Sequence, residues 1–420
     1  MSTPIVVLNC GSSSIKFALF DTAVWPLPRS PAFAGQLDGI GGARQRLIEN
    51  HEQPTAVRLD PDRPYDAALR LVRERIERWT QGRSPAVVAH RVVHGGSRYT
   101  APVIVDAAVL AELKRLIDLA PLHQPHALRA LEFLLAEAPD VPQVACFDTA
   151  FHETLPEVER LLPLPASLHT RGIRRYGFHG LSYEYMAAVL PERHGSVARG
   201  RTIVAHLGSG ASLCALRELR SVATTMGFSA LDGLMMGTRC GSLDPGVLLH
   251  LMQVERFDHQ KLVNLLYHQS GLLGVSGLSA SPQALLAAEG TNPQARAALE
   301  LYVRRIVREI GALTAVLGGL DMLAFTAGVG EHSGPLRERI CAAFEWLGVR
   351  LDDAANRANA ETISAPGSRV RVVVEPTNEE WIAARHALRF FRAGEIPVPT
   401  DPSLIFPSRC MSGFEEASAL

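Results

Sequence analysis

Two Gly-Ser turns set between apolar runs carry the first chemical signal in this sequence. IVVLNCGSSSIKFALF spans residues 5–20 and TIVAHLGSGASLCAL spans residues 202–216. Glycine lets a backbone turn tightly, and the amides and hydroxyls of a Gly-Ser segment can converge on an anion. An ordinary hairpin turn is the competing reading of either segment alone. Neither is a P-loop, because G-x-x-x-x-G-K-[ST] is absent, and neither is a dinucleotide fingerprint, because a second strand-like run follows instead of a helix. In LAFTAGVGEHSGPLRERI, Gly328 and Gly330 precede Ser333 and Pro335, a capping residue and an early proline that predict a helix start. The free amides of such a start suit phosphate, and a plain strand-to-helix turn is the alternative.

Polar residues collect where other apolar runs end. HRVVHGG carries Arg91 and His94, CFDTAFH carries Asp148 and His152, and RRYGFHG carries His179. GLMMGTRCGSLDPG carries Arg239 and Asp244, and EPTNEEW carries Glu379 and Glu380. Each has a bland explanation alone: a satisfied structural histidine, a turn aspartate, a surface ion pair. Their shared position at strand ends is what favours a site, because α/β folds bind ligands there. Phosphoryl transfer wants such a set, since it demands alignment and charge neutralisation more than covalent help. Two arginines can grip phosphate or carboxylate, and a carboxylate can help hold magnesium.

These residues need strands and helices to position them. Short β-branched runs alternate with helically spaced stretches such as YDAALRLVRERIERW, where Tyr65, Leu69, Val72, Ile76 and Trp79 share a face. This alternation predicts an α/β fold with strands buried on both faces. Aligning residues 9–19 with 206–216 matches Gly11 with Gly208, Ser12 with Ser209, Ala18 with Ala215 and Leu19 with Leu216. With 420 residues, that predicts two similar halves, each opening with a strand, a Gly-Ser turn and a second strand. Lys plus Arg (42) nearly balance Asp plus Glu (43), so bulk charge favours neither nucleic acid nor a membrane surface. Six cysteines without C-x-x-C spacing read as reduced thiols, not as a zinc site or a disulfide framework. No leader-like or membrane-spanning run is evident, so a soluble cytoplasmic protein is expected. The stretch from Ala393 to Leu420 carries no motif and is expected to be partly disordered.

Taken in order, NCGSSSIK, HRVVHGG, APLHQPH, CFDTAFH, RRYGFHG, HLGSGAS, GLMMGTRCGSLDPG, FTAGVGEHSG and PTNEEW span nearly the whole chain. This series resembles the acetate kinase family, within the sugar kinase, Hsp70 and actin superfamily. The resemblance implies a duplicated actin-like, ribonuclease-H-like α/β fold with two domains flanking a deep cleft. One domain would comprise residues 1–150 plus about 381–420, and the other residues 151–380, carrying nucleotide-binding loops. It also implies a homodimer and reversible phosphoryl transfer between ATP and a short carboxylate such as acetate. Magnesium would be the cofactor, with manganese as a substitute.

By the same resemblance Asn9, Ser12, Ser14 and Lys16 form the first phosphate loop, and His206, Gly208, Ser209 and Gly210 the second. Gly328, Gly330 and Glu331 belong to the nucleotide side. Arg91 and Arg239 would hold the carboxylate and the transferring phosphoryl group, His179 would stabilise the transition state, and His123 would lie nearby. Asp148 and Glu379 would organise the metal, with Asn9 beside it. Val93, Leu122 and Phe178 would enclose the acyl methyl. The catalytic set is then Asp148, His179, Arg239 and Arg91. A short fatty acid is already ionised at neutral pH, so Asp148 is read as a positioning group and not as a base.

Several positions depart from the family pattern. Ser209 replaces an expected Asn, Ala230 a Pro, His332 an Asn, and Ser281 and Gln283 the Asp and Arg that hold the nucleoside. Either the base pocket has drifted or the natural donor is another triphosphate or pyrophosphate. Ala230, smaller than Pro, predicts tolerance of propionate, and a propionate or butyrate kinase is the alternative within the family. A non-catalytic actin-like switch is the alternative from another class; it would not need Arg91, Arg239 and His179 together.

Overall fold

The computed structural model describes residues 3–50 and 52–394; most of the 393–420 stretch and Cys410 lie outside the described residues. Residues of the first strand, β1 (Pro4–Cys10), are buried almost throughout and alternate between two cores. Val6 and Leu8 face one core with Tyr65, Leu69, Val72 and Ile76, while Ile5 and Val7 face another. The tight turn after β1 returns as β2 (Ser14–Asp21), in a register that sets Asn9 opposite Lys16. Strands β3 (Phe33–Asp38), β4 (Gln45–Glu49), β5 (Thr55–Val57), β6 (Val87–Val92), β7 (Val103–Ile104) and β8 (Gln143–Phe147) complete a sheet of order β5-β4-β3-β2-β1-β6-β8-β7.

The second sheet has order β11-β10-β9-β12-β13. Its strands are β9 (Thr202–Leu207), β10 (Ala211–Arg217), β11 (Arg220–Thr224), β12 (Met322–Thr326) and β13 (Arg371–Val374). It repeats the centre of the first sheet: an antiparallel pair beside the opening strand, then two parallel strands on its other side. The expectation of two similar halves is met by this shared pairing order. Strands β8, β9 and β12 are buried along their whole length, as strands covered on both faces should be.

Two helices join the sheets. Helix Gly180–His194 contributes Met186 and Val189, and helix Glu379–Arg392 contributes Ile382 and Ala387, to one core. That core also holds Val7, Ala89 and Val144 of the first sheet and Val204, Cys214 and Val373 of the second. The helix expected over residues 65–79 is Pro64–Thr80. Among the described residues no helix is long and apolar enough to cross a membrane.

One local expectation needs correcting. A helix starts directly off β12 at Ala327 and runs to His332, so Gly328 and Gly330 are helical. The chain turns at Ala327 itself, whose φ of 64° lies in the left-handed region. A second helix, Gly334–Ala342, follows with a proline in its first turn, but the Ser333 hydroxyl does not cap it. The fully buried Arg337 binds this segment together instead. Its guanidinium donates to the carbonyls of Gly330 (2.7 Å), Glu331 (2.9 Å) and Asn356 (2.7 Å), and to the Asn356 side chain (2.9 Å). Arg337→Met would leave those buried carbonyls without donors. Chemical denaturation should show a loss of about 3 kcal/mol, and an unchanged midpoint would contradict this account.

Candidate active site

The carboxyl ends of β1, β6, β8, β9, β12 and β13 point to one cleft of about 490 Å³ between the sheets. Its walls include Asn9, Lys16, Arg91, Val93, His123, Asp148, Phe178, His179, His206, Gly208, Ser209, Gly210, Arg239, Gly328, Glu331 and Glu379. Residues from all three Gly-rich stretches therefore meet at the same place. A second cleft of about 530 Å³ beside helix Pro293–Leu317 is lined by Leu301, Val303, Arg304 and Arg339. It lacks histidines and glycine loops.

Arg91, near the end of β6, is gripped at both edges. Its Nε and one Nη donate to the two oxygens of Asp148 at 2.9 and 2.8 Å, and its other Nη lies 3.1 Å from Glu379. Burial opposes its charge, but the two carboxylates outweigh this and hold the guanidinium well above its ordinary pKa. The Glu379 carboxyl is raised as well, which favours its neutral form: burial, against the pull of Arg91, pushes it up. Helix Gly180–His194 is docked against the same corner, where the Gly180 amide donates to the Asp148 carbonyl at 2.8 Å. A side chain at Gly180 would come within 2.2 Å of that carbonyl, so the helix needs glycine to approach.

Arg239 is placed differently. It donates to the carbonyl of Ala230 at 2.8 Å, and among the described residues no carboxylate lies within ion-pair distance of it. Burial pulls its pKa down. A half-buried cation without a counter-charge is a receptor for an anion. Val93, Phe178 and Ala230 supply apolar surface in the same cleft.

Three imidazoles line the cleft. His179 precedes helix Gly180–His194 with φ 60° and stacks on His206, ring centroids 4.1 Å apart. Burial, reinforced by His206, Arg91 and Arg239, drives the pKa of His179 far down. Burial and Arg91 bring His206 to about 3, and burial with Arg239 and Arg91 brings His123 to about 4. All three are neutral at pH 7, so they act as hydrogen-bond groups and not as cations. A side chain at Gly210 would lie 3.1 Å from His179 Nε2 and 3.3 Å from an Arg239 Nη; glycine there leaves room for a ligand between them.

Other expected residues lie elsewhere. Leu122, Ser12, Ser14 and Gly330 do not line the cleft; Ser12 is exposed, and Gly330 is buried under Ala205 and Leu207. The Ser14 carbonyl closes the first turn by accepting from the Gly11 amide at 2.8 Å. His152 is a satisfied structural group, bonded to Ser221 and to the Phe178 carbonyl, whereas His94 accepts from the Gly96 amide at Nδ1 and has no partner for its buried Nε2 among the described residues. Asp244 caps helix Pro245–Gln253. Ser281 caps helix Pro282–Ala288, and neither it nor Gln283 reaches the cleft. Thr377 and Ala327, which no sequence reading singled out, also line the cleft, as does Glu380 of EPTNEEW. Thr377 and Glu380 stand inside the PTNEEW motif, which was the available signal; the Thr377 amide donates to Glu331 at 3.1 Å. Ala327 carried no polar signal.

Magnesium can be tested against these groups. The candidate donors are hard oxygens of Asn9, Asp148 and Glu379, suited to magnesium in kind. Asp148 has both oxygens engaged by Arg91, whereas Glu379 has one oxygen outside that pair. Among the described residues no group of three His, Cys, Asp or Glu forms a metal cage. That fits an ion held by one or two protein oxygens and substrate phosphates.

Comparison with known proteins bears on the same residues. The model of the Acetokinase family matches residues 4–385. The acetate kinase of Rhodopseudomonas palustris is 48% identical over 401 residues, 94% of this chain and 100% of that protein. The crystal structure of Porphyromonas gingivalis acetate kinase superposes with a TM-score of 0.82 at 34% identity, covering 92% of this chain and 99% of its own. That of a propionate kinase from Francisella tularensis gives 0.84 at 31%, with the same coverages. With the duplicated sheets and the cleft between them, these likenesses show an actin-like kinase that acts on a carboxylate: the chain belongs to the acetokinase family.

Proposed function

We propose that the cleft catalyses reversible, magnesium-dependent transfer of the γ-phosphoryl group of ATP to acetate, giving acetyl phosphate and ADP. The observation that carries this reading is the asymmetry of the two arginines: Arg91 is already neutralised by protein carboxylates, whereas Arg239 is half-buried beside Val93, Phe178 and Ala230 with no carboxylate within ion-pair distance among the described residues. A small carboxylate with an apolar tail answers both features. Acetate is anionic at pH 7 and repels the anionic phosphoryl group, so Arg239 and Arg91 lower the barrier by neutralising both reactants. Asp148 keeps Arg91 oriented by its two-point grip and removes no proton. His179 offers a neutral donor to the equatorial oxygens, and the turns at Gly208 and Gly210 with Lys16 hold the phosphate chain. Magnesium, held by Glu379 and substrate phosphates with Asn9 and Asp148 nearby, would neutralise charge on the phosphate oxygens. Transfer is direct and in line, with no phosphoenzyme.

The donor is read as ATP, because Glu331 and Gly328 remain at the cleft wall. The exposed cap at Ser281 favours a second reading, in which pyrophosphate or another triphosphate is used, since nothing from residues 281–283 enters the cleft. Ala230 leaves the acyl pocket able to take propionate. The protein is proposed to act in the cytoplasm as a homodimer. Helices Pro245–Gln253 and His259–His268 bury none of their residues, and Leu243, Val247, Leu249, Met252 and Val254 are 41–60% exposed. A patch of that kind marks an interface.

Three outcomes check this proposal. Hydroxamate trapping with acetate, magnesium and ATP, GTP or pyrophosphate should yield most product with ATP. Absence of product with every donor would refute the reaction, and preference for pyrophosphate would replace the donor. Arg239→Ala should lower kcat/KM for acetate by about 100- to 1,000-fold while KM for ATP changes little; a shift confined to ATP would reassign the arginine. Leu249→Glu should convert dimer to monomer in light scattering, and an unaltered mass would move the interface elsewhere.

A further inference from the structure

We propose that Tyr183 and Ser212 are positioning residues that fix the tautomer of His179, keeping the proton on Nε2 at the cleft and the lone pair on Nδ1. The inference rests on the phosphoryl-transfer reading above and adds to it the source of the histidine's polarity.

The residues are brought together by two periodicities. Ser212 lies on β10 with Cys214 and Leu216, on the side that faces the core shared with helix Gly180–His194. Tyr183 stands one turn into that helix and His179 immediately before it. Ser212 and Tyr183 are fully buried and His179 nearly so. His179 Nδ1 lies 2.8 Å from Ser212 Oγ, and the same oxygen meets the Tyr183 hydroxyl.

Counting protons sets the direction of this chain. Among the described residues Ser212 is the hydrogen-bond partner of the Tyr183 hydroxyl, and burial keeps the phenol protonated by pushing its pKa well up. A buried phenol that failed to donate would leave its proton unpaired at a cost. Tyr183 therefore donates to Ser212, and Ser212 directs its own proton to His179 Nδ1. Nδ1 is then an acceptor, and the neutral imidazole must carry its proton on Nε2, the atom beside Gly210 and Arg239. The opposite arrangement, Nδ1–H donating to Ser212 and Ser212 to Tyr183, strands the phenolic proton and turns a lone pair toward the phosphoryl oxygens.

The stacked neighbour is wired alike. His206 Nδ1 lies 2.9 Å from Ser182 Oγ, which is 2.9 Å from the Thr377 hydroxyl. Each ring thus ends a chain of two hydroxyls at Nδ1, and His206 Nε2 is the ring atom nearest Gly208. Two neutral rings in contact can both present donors to a polyanion without adding charge between them.

The test uses the full-length protein with 15N-labelled histidine, His179 being assigned from its loss in His179→Gln. Wild type should show the Nε2–H tautomer at His179. Tyr183→Phe keeps the shape but frees Ser212 to accept, and should introduce the Nδ1–H form. In acetyl phosphate formation it should lower kcat by about tenfold with KM for acetate unchanged, and Ser212→Ala should do the same. An Nδ1–H tautomer in wild type, or Tyr183→Phe with tautomer and kcat both unaltered, would overturn the inference. The wild-type Nε2–H tautomer, lost in Tyr183→Phe, in a protein that forms no acyl phosphate would uphold the relay while removing the proposed reaction.

Discussion

The site depends on an unequal division of negative charge between two arginines. Arg91 has two carboxylates, supplied by the end of β8 and the start of helix Glu379–Arg392. Arg239 has one carbonyl. A half-buried cation without a counter-ion carries a desolvation cost, and that cost becomes affinity for whichever anion arrives. Much of the surrounding architecture keeps this division in place. Gly180 lets a helix sit against Asp148, and burial of the imidazoles keeps protons from adding further positive charge beside Arg91 and Arg239.

The duplicated sheets explain why the polar groups converge. In each sheet the opening strand is flanked by an antiparallel partner on one side and a parallel one on the other. The parallel strands then end on the same side, and their carboxyl ends bring Arg91, Asp148, Ala327 and Glu379 toward the Gly-Ser turns. The acidic and basic members come from both halves of the chain, so neither sheet holds a complete site.

Much of this was legible in the residues because strand ends and Gly-rich turns leave local signals. Arg91, Asp148, His179 and Arg239 stand in such places, and all four line the cleft. Helix Pro64–Thr80 followed its apolar spacing. Helix Ala327–His332 was not legible, because the left-handed turn falls on Ala327, a residue without preference for it, whereas Ser333 and Pro335 did mark the start of helix Gly334–Ala342 although the serine hydroxyl makes no cap bond. Ser212 and Tyr183 were invisible for another reason: a hydroxyl in a buried strand and a phenol in a buried helix look like packing until their distances are known. The lack of a carboxylate beside Arg239 among the described residues is likewise a property of three-dimensional surroundings.

The helix Glu379–Arg392 has a consequence for how the chain is made. It packs on β1 and β6, strands formed almost entirely within the first 92 residues. Trp381 donates to the Leu27 carbonyl and Asn378 to that of Arg29, contacts that close loops of about 350 residues. During synthesis the first sheet must therefore wait, one face incompletely covered, until nearly four hundred residues have left the ribosome. Its exposed valines and alanines are a reason for chaperone engagement of the nascent chain, and truncation shortly before residue 379 would leave the amino-terminal sheet permanently open.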